Sequence, residues 1–405
     1  MSALQPENDR EQGSISANRD VSTACVHRAG TVMYCLTVAT SAQSFLRGQL
    51  RYMAAQGWDV LVAASASPAL AKLADAEGVR SVVVPTPREI DPMRDLVALF
   101  RWARVIAKVR PDVVNVSTPK AALIAGFAAR MLGVPRRVYV VRGLRYESAT
   151  GPKRLVLMAS EWATASNATE IVAVSESVRR ELYRKRLVSR AKPVLLFGSG
   201  SSNGVDAARV ALAGARARPV EIRAGLSIPR DSYLIAFVGR LCVDKGVREL
   251  AEALLLPGLQ NAYLLTIGTV EDREVCRYLE KLQNRWRHQD HTEAVAELLA
   301  ASDVLALPTY REGFPNVVLE AAALAVPAVT TLATGARDSV INGVTGLLVP
   351  VGNSAALAGA LIRLQDPEIR GQMGRAAHDR VLRSFAQEVV WRGLEGLYRG
   401  SVDGG

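Results

Sequence analysis

Residues 233–255 read YLIAFVGRLCVDKGVRELAEALL. The opening run, YLIAFV, has no charged or strongly polar interruption. Such a run suits a strand buried on both faces, as parallel strands are. Gly239 follows at once and permits a tight turn that a side chain would resist. Arg240 and Lys245 then project from a short loop, and apolar residues at helical spacing follow over 246–254. Strand, glycine turn, cationic loop and helix form the start of a βαβ crossover.

The same alternation extends in both directions. Downstream, strand-like runs stand at 262–267, 303–307, 328–331 and 346–349, with helical patterns over 274–286, 293–300, 317–324 and 354–364. Upstream, strand-like runs stand at 31–38, 59–63, 81–84, 112–117, 137–141, 170–174 and 193–197. Helical patterns over 43–56, 69–77, 93–109, 119–132, 152–166 and 176–187 fill the gaps. Between the two series lies GSGSSNGVD, 198–206, whose small residues read as a hinge. The expectation is an α/β chain of two doubly wound domains, 30–197 and 198–384, with a C-terminal helix over 385–405 returning to the first domain. Residues 1–29 are polar, lack the apolar core of a signal peptide, and read as a disordered tail. Ligands of paired domains like these sit in the crevice outside the carboxyl ends of the strands.

Composition agrees with this reading. A chain of 405 residues is too long for one ordinary core. The net charge of +11 is unevenly placed: 25 Lys/Arg face 12 Asp/Glu between Gly30 and Phe197, which leaves 25 against 27 in the rest. A basic first half favours an anionic neighbour such as lipid head groups, a diphosphate or nucleic acid. Aromatic residues make up 5%, too few for a single-strand stacking platform, and no nucleic-acid motif occurs. Cys25, Cys35, Cys242 and Cys276 show no ligand spacing and read as reduced thiols of a cytoplasmic protein. His27, His288, His291 and His378 form no metal motif, so no metal is expected. No segment has the apolar length of a membrane span.

Chemistry gathers at the predicted strand ends. In VGRLCVDKG (238–246), Arg240 and Lys245 can clamp a diphosphate, one through its fork and the other as a point charge; a solvated basic loop is the bland alternative. EGFPNVVLE (312–320) follows the strand ending near Leu307. Pro315 suits the first helical turn, so free amides and a positive dipole end would meet the cleft. Glu320 stands four residues after Asn316 on one helical face, with Glu312 just before the helix. Two carboxylates so placed can accept hydroxyl hydrogen bonds, one from a sugar and one from a ribose.

Together these motifs resemble the GT-B glycosyltransferases of family four, which carry a G-R-L-x-x-x-K-G loop and an E-x7-E pair. The matching positions are Gly239, Arg240, Lys245, Gly246, Glu312 and Glu320. STPKAAL (117–123), VYVVRGLRYESATG (138–151), GSSNGVD (200–206) and TGLLVPVGNSAALA (345–358) extend the likeness over most of the chain. The VRGL and SSNGVD segments look like a bacterial subgroup that builds surface polysaccharide or lipid-linked oligosaccharide. The resemblance implies a GT-B fold, two Rossmann-like domains facing across a cleft. It implies a retaining, metal-independent transfer of a sugar, often an N-acetylhexosamine in the subgroup, from a UDP-sugar that is a substrate rather than a cofactor. Arg240 and Lys245 would neutralise the departing diphosphate, Glu312 would hold the transferred sugar, and Glu320 the ribose. Gly239, Gly313, Phe314, Asn316 and Val317 would complete the donor site. The acceptor would be a polyprenyl-diphosphate-linked sugar, reached from the inner face of the cell membrane.

Three cations of the first half are candidates for that acceptor. Lys120 follows Pro119 at a helix start, and Arg142 and Arg145 follow the strand 137–141. Many relatives carry His near the position of Arg142; arginine cannot serve as a base near neutral pH, which fits a same-face displacement. Ser202 and Asn203 of the hinge either touch the donor phosphates or shape the loop. GTVEDRE (268–274) and RWRHQDHT (285–292) depart from the family pattern where the nucleotide base would sit. The stretch 94–110, RDLVALFRWARVIAKVR, reads either as a basic amphipathic helix on an anionic membrane or as a covering helix with its apolar side on the sheet. Rival readings are a nucleotide-sugar epimerase, a phosphorylase and a non-catalytic nucleic-acid binder. The first would call for histidine in a half that has none between Gly30 and Phe197, and the second for a pyridoxal-phosphate lysine motif that is not found.

Overall fold

The computed structural model describes residues 29–40, 42–87 and 91–401. The tail expected over 1–29 therefore lies, apart from Ala29, outside the described residues. The first sheet holds β1 (Gly30–Cys35), β2 (Trp58–Ala64), β3 (Arg80–Val83), β4 (Val113–Val116), β5 (Arg136–Val141), β6 (Glu170–Ala173) and β7 (Val194–Leu195). The second holds β8 (Tyr233–Val238), β9 (Ala262–Ile267), β10 (Trp286–Gln289), β11 (Val304–Leu307), β12 (Ala328–Thr331) and β13 (Gly346–Val349). Their orders are β3-β2-β1-β4-β5-β6-β7 and β10-β9-β8-β11-β12-β13, and every neighbouring pair is parallel. These are the two doubly wound sheets expected of a GT-B chain.

Alternation along each strand feeds two apolar layers. On β1, Met33 and Cys35 face one layer, and Val32 and Tyr34 the other. The first layer is covered by helices Pro92–Val109, Pro119–Met131 and Gly151–Asn167. Helix Pro92–Val109 shows why a strongly charged segment folds there. Asp91 caps it by accepting from the Arg94 amide at 3.0 Å, and Ala98, Trp102 and Ile106 are buried against the sheet. The indole N–H of Trp102 donates to Thr86 Oγ1 at 3.0 Å, so the ring is buried without an orphan donor. Burial of Ile106 alone contributes roughly 2 kcal/mol. The segment is thus a covering helix, although Leu96 and Phe100 of its expected apolar set stay exposed.

The second layer receives helix Gln387–Arg399 from the end of the chain. Its Tyr398 meets Trp58 edge-on at 5.8 Å and accepts from Asn115 Nδ2 at 2.6 Å. Its Trp391 lies 5.4 Å from Tyr52. This layer continues into the second half, where Phe314 and Phe385 pack with ring centroids 5.5 Å apart.

Two expected helices are corrected. The pattern 43–56 is broken into Ala42–Phe45 and Gln49–Ala55, because the chain turns left-handed at Gly48 (φ 78°) beneath the Trp391 ring. The pattern 274–286 ends at Glu280, and Trp286 instead begins β10. The Trp286 indole donates to Thr266 Oγ1 at 2.9 Å, and His288 Nδ1 lies 3.0 Å from the same hydroxyl. These bonds fix an edge strand too polar to show an apolar run. Helices Ala207–Arg216 and Pro219–Gly225, capped in part by Asp206, occupy a stretch where no element was expected.

Candidate active site

In each sheet the chain order reverses at one place, between β1 and β4 and between β8 and β11. A crevice opens outside the strand ends at such a point. The loop after β8 carries Gly239, Arg240 and Lys245, and the loop after β11 carries the 312–320 motif. The two motifs, 67 residues apart at Lys245 and Glu312, therefore leave adjacent strands at the switch point.

The two loops are bound closely. Tyr310 donates its amide to Asp244 O at 2.9 Å, and Thr309 Oγ1 donates to the same carbonyl at 3.1 Å. Gly246 turns left-handed (φ 69°), and a Cβ there would stand 2.0 Å from Pro308 O, so only glycine admits this approach. The approach brings Lys245 Nζ into an ion pair with Glu312 Oε1, with side chains only 17% and 15% exposed. Helix Asn316–Ala323 starts beside this pair, and Pro315 at its cap gives no side-chain hydrogen bond. The first amides of the helix thus lack a side-chain acceptor. Asn316 Oδ1 is buried without a hydrogen-bond partner among the described residues. Glu320, one turn on, is half-buried; burial pushes its carboxyl above the usual range, partly offset by the cations of Arg209 and Arg47.

Arg240 stands apart from the Lys245–Glu312 pair. It is half-exposed and pairs with Glu271 from the loop after β9, instead of pointing at Glu312. The physical reason is local: the loops after β8 and β9 run together, with Leu241 accepting the amides of Glu271 and Asp272 at 3.1 Å.

The first half meets this site through its backbone. The loop after β5 packs against Glu312–Gly313 so tightly that a Cβ on Gly313 would lie 2.3 Å from Arg142 O. The Arg142 side chain turns inward, towards Phe45 and the hinge. Its guanidinium lies 4.2 Å from the Phe45 ring centroid and donates to Ser202 O at 2.6 Å. Burial lowers its pKa to about 10, so it stays a cation at neutral pH. At Lys120 the helix opens at Pro119 as expected, and the ammonium pairs with Asp95 at 2.7 Å. Arg145 is exposed on a 3-10 turn, Arg145–Ser148. Hinge Asn203 shapes its loop, donating to Arg47 O at 2.9 Å and accepting from the Trp391 indole at 2.7 Å. Phe314 is buried in the shared apolar layer, while Val317 is half-buried on the helix start. Among the described residues, no group of three or more His, Cys, Asp or Glu is placed to hold a metal.

Comparison with known proteins agrees with the two-sheet fold. Residues 42–209 match the family described as Glycosyltransferase Family 4, and 232–366 match Glycosyl transferases group 1. The capsular polysaccharide biosynthesis glycosyltransferase CapM of Staphylococcus aureus is 33% identical over 374 residues, 91% of this chain and 96% of its own. The chain belongs to glycosyltransferase family four. An Escherichia coli enzyme described as UDP-Gal:alpha-D-GlcNAc-diphosphoundecaprenol alpha-1,3-galactosyltransferase is 26% identical, over 76% of this glycosyltransferase and 81% of its own length. Among solved structures, sucrose-phosphate synthase from Thermosynechococcus elongatus superposes with a TM-score of 0.75 at 22% identity, over 91% and 98% of the two chains. HepE from Anabaena, solved in complex with UDP-glucose, gives 0.74 at 17% identity, over 92% and 100%. These confirm the GT-B fold.

The glycosyltransferase also uses residues that sequence reasoning passed over. Thr334 Oγ1 donates to Glu147 Oε1 at 2.6 Å, and Arg311 donates to Ser148 Oγ at 2.7 Å and to Asp244 Oδ2 at 2.8 Å. Ser177 Oγ accepts from the Gly335 amide at 2.6 Å and bonds Asp338. Apart from the Arg311–Asp244 bond, which lies within the second half, these bonds tie the two halves across the cleft. Burial raises the carboxyls of both Glu147 and Asp338 above their usual range. Glu147, Ser148 and Asp338 lie on 3-10 turns and Ser177 in the first turn of helix Glu176–Arg184, and a lone polar residue there leaves no pattern in the sequence.

Proposed function

We propose that this glycosyltransferase moves a hexosyl group from a UDP-sugar to a polyprenyl-diphosphate-linked sugar in bacterial surface polysaccharide synthesis, with retention and without a metal. The observation that carries the reading is the Lys245–Glu312 pair beside the start of helix Asn316–Ala323, at the switch point of the second sheet. A donor diphosphate would draw Lys245 from Glu312 and lie against the helix amides, where the dipole favours negative charge. Glu312, released, would accept hydrogen bonds from hydroxyls of the transferred sugar, and Glu320 from those of the ribose. Arg240 would swing from its exposed pair with Glu271 to the same diphosphate. In the step itself, the bond from the anomeric carbon to the phosphate oxygen breaks, and the acceptor hydroxyl oxygen bonds that carbon on the same face. The proton passes to the departing phosphate oxygen. Fixed cations stabilise the charge that develops there, the task a metal performs elsewhere. Arg142, a buried cation stacked on Phe45, adds positive potential beneath the loop and moves no proton.

The lipid-linked acceptor is supported by the Escherichia coli relative's own substrate and by the basic first half of this chain. No helix among the described residues is long and apolar enough to cross a membrane, so contact with the inner face would be peripheral. The test is a panel of nucleotide-sugars incubated with polyprenyl-diphosphate-linked sugars in chelator, with product mass and anomeric configuration read out. Transfer with retention, lost in Glu312→Ala, supports the reading; an inverted product or a strict metal requirement contradicts it. Sedimentation with anionic vesicles at low salt checks the membrane contact.

A further inference from the structure

The loops after β8 and β11 are joined by a second ion pair beside the first. Asp244 and Lys245 are neighbours on one loop, and Arg311 and Glu312 are neighbours on the other. Lys245 pairs with Glu312, and Arg311 Nη2 pairs with Asp244 Oδ2 at 2.8 Å. The polarity of the second pair is reversed, with its anion on the loop after β8. A slip of one residue between the loops would set Asp244 against Glu312, or Lys245 against Arg311, like against like. The two pairs together therefore fix one register. The first half reaches the second pair through one hydroxyl. Ser148 Oγ accepts from Arg311 Nε at 2.7 Å and donates to Asp244 Oδ2 at 3.2 Å. A hydroxyl has one proton to give and lone pairs to offer, and here each goes to the partner of matching charge.

We propose that Arg311 is a positioning residue for the transfer: with Asp244 it keeps the Lys245 and Glu312 loops in register while the donor diphosphate parts that pair, and through Ser148 it ties this register to the first half. The inference rests on the donor reading above. When the diphosphate draws Lys245 away, one of the two ion pairs between the loops is given up. The Asp244–Arg311 pair then holds the distance at which Lys245 meets the phosphate and Glu312 meets the sugar. Arginine suits the task because its planar fork serves two partners at once, Nε towards Ser148 and Nη2 towards Asp244. A lysine ammonium supplies the charge without that two-point geometry. With no cation at 311, Asp244 would leave an unpaired carboxylate one residue from Lys245, and its charge would oppose the arriving diphosphate.

The test uses the full chain, with UDP affinity from calorimetry and kcat from the transfer reaction of the panel above. Arg311→Met is expected to weaken UDP binding about tenfold, the scale of one charge-assisted hydrogen bond. Arg311→Lys keeps the charge beside Asp244, so UDP affinity returns to within about threefold of wild type while kcat stays lowered about tenfold. Ser148→Ala, at an exposed position, leaves UDP affinity at the wild-type value and lowers kcat about fivefold. In the double variant Ser148→Ala with Arg311→Met the two losses in kcat are not additive, because the serine acts through the arginine. UDP affinity at the wild-type level in Arg311→Met overturns the proposal, and so do additive losses. Should Arg311→Met fail to fold, Arg311→Lys and Ser148→Ala decide: lowered kcat with UDP affinity kept supports it, and wild-type kcat in both overturns it. Lys245→Ala separates this failure from that of the donor reading. If Lys245→Ala binds UDP as wild type does, the donor reading falls and this proposal with it; if it loses UDP while Arg311→Met does not, only the role of Arg311 falls.

Discussion

A single methyl group added at Gly313 tests whether the close approach of the two halves matters to the reaction. The Cβ of Gly313→Ala would stand 2.3 Å from Arg142 O and 2.4 Å from Arg142 C. Ordinary contact begins near 3.4 Å, so the loop after β5 and the Glu312 loop must separate by about 1 Å. Both partners are backbone, and no flexible side chain can yield instead. Glu312 would move with the separation, because its amide donates to Thr334 O at 2.9 Å in the same packed layer. A misplacement of about 1 Å at a reacting centre costs on the order of a hundredfold in rate, about 2.7 kcal/mol of barrier. The expected result is a kcat lowered about a hundredfold with a small loss of thermal stability. The control is Gly359→Ala, inside helix Ser354–Arg363, where nothing lies within 4 Å of the new Cβ. That variant keeps its activity and gains up to about 1 kcal/mol from helix propensity. Wild-type kcat in Gly313→Ala would refute the claim that this contact sets the geometry of the site.

Three further outcomes follow from the packing. Thr334→Val removes the donor to Glu147 and leaves a buried carboxyl without it, so kcat/KM falls roughly tenfold in steady-state assays, for about 1–2 kcal/mol lost across the cleft. Glu161 is buried, with its pKa pushed up to about 7 by desolvation, and Tyr139 OH donates to it at 2.5 Å. Its folded value lies above the unfolded 4.5, so the stability it contributes is complete below about 4.5 and is lost as pH rises through about 7. Denaturant titrations at pH 5 and pH 8 then differ by about 2.5 kcal/mol from this group, and Glu161→Gln flattens that difference. Trp391→Ala opens a cavity beside Gly48 and Tyr52 and removes the indole donor to Asn203, costing about 3–5 kcal/mol and roughly 10 °C in calorimetry. A melting point within about 2 °C of wild type would show that helix Gln387–Arg399 does not hold the first sheet.

The legible parts of the sequence are those that carry a period or a punctuating residue. β8, β9, β12 and β13 have the bounds expected of them because each is a short uncharged run of apolar and β-branched residues ended by glycine or a loop. The Lys245 and Glu312 loops were legible as well, since each leaves such a strand. β10 was not: W-R-H-Q is an edge strand held by side-chain bonds to Thr266, a contact that no local pattern records. The direction of a charged side chain was likewise hidden. Arg142 turns to Phe45 and Lys120 to Asp95, and both partners come from other elements far along the chain. The bonds that join the halves, from Glu147, Ser148 and Ser177 to Thr334, Arg311 and Gly335, arise only when two folded sheets face each other.

The central claim is that Lys245 and the start of helix Asn316–Ala323 receive the donor diphosphate. A crystal structure of the protein with bound UDP-sugar tests it most directly. The account predicts diphosphate oxygens within hydrogen-bond distance of Lys245 Nζ and of the first helix amides, with Glu312 turned to the sugar and Glu320 to the ribose. A nucleotide bound away from the loops after β8 and β11, with Lys245 still paired to Glu312, would contradict it.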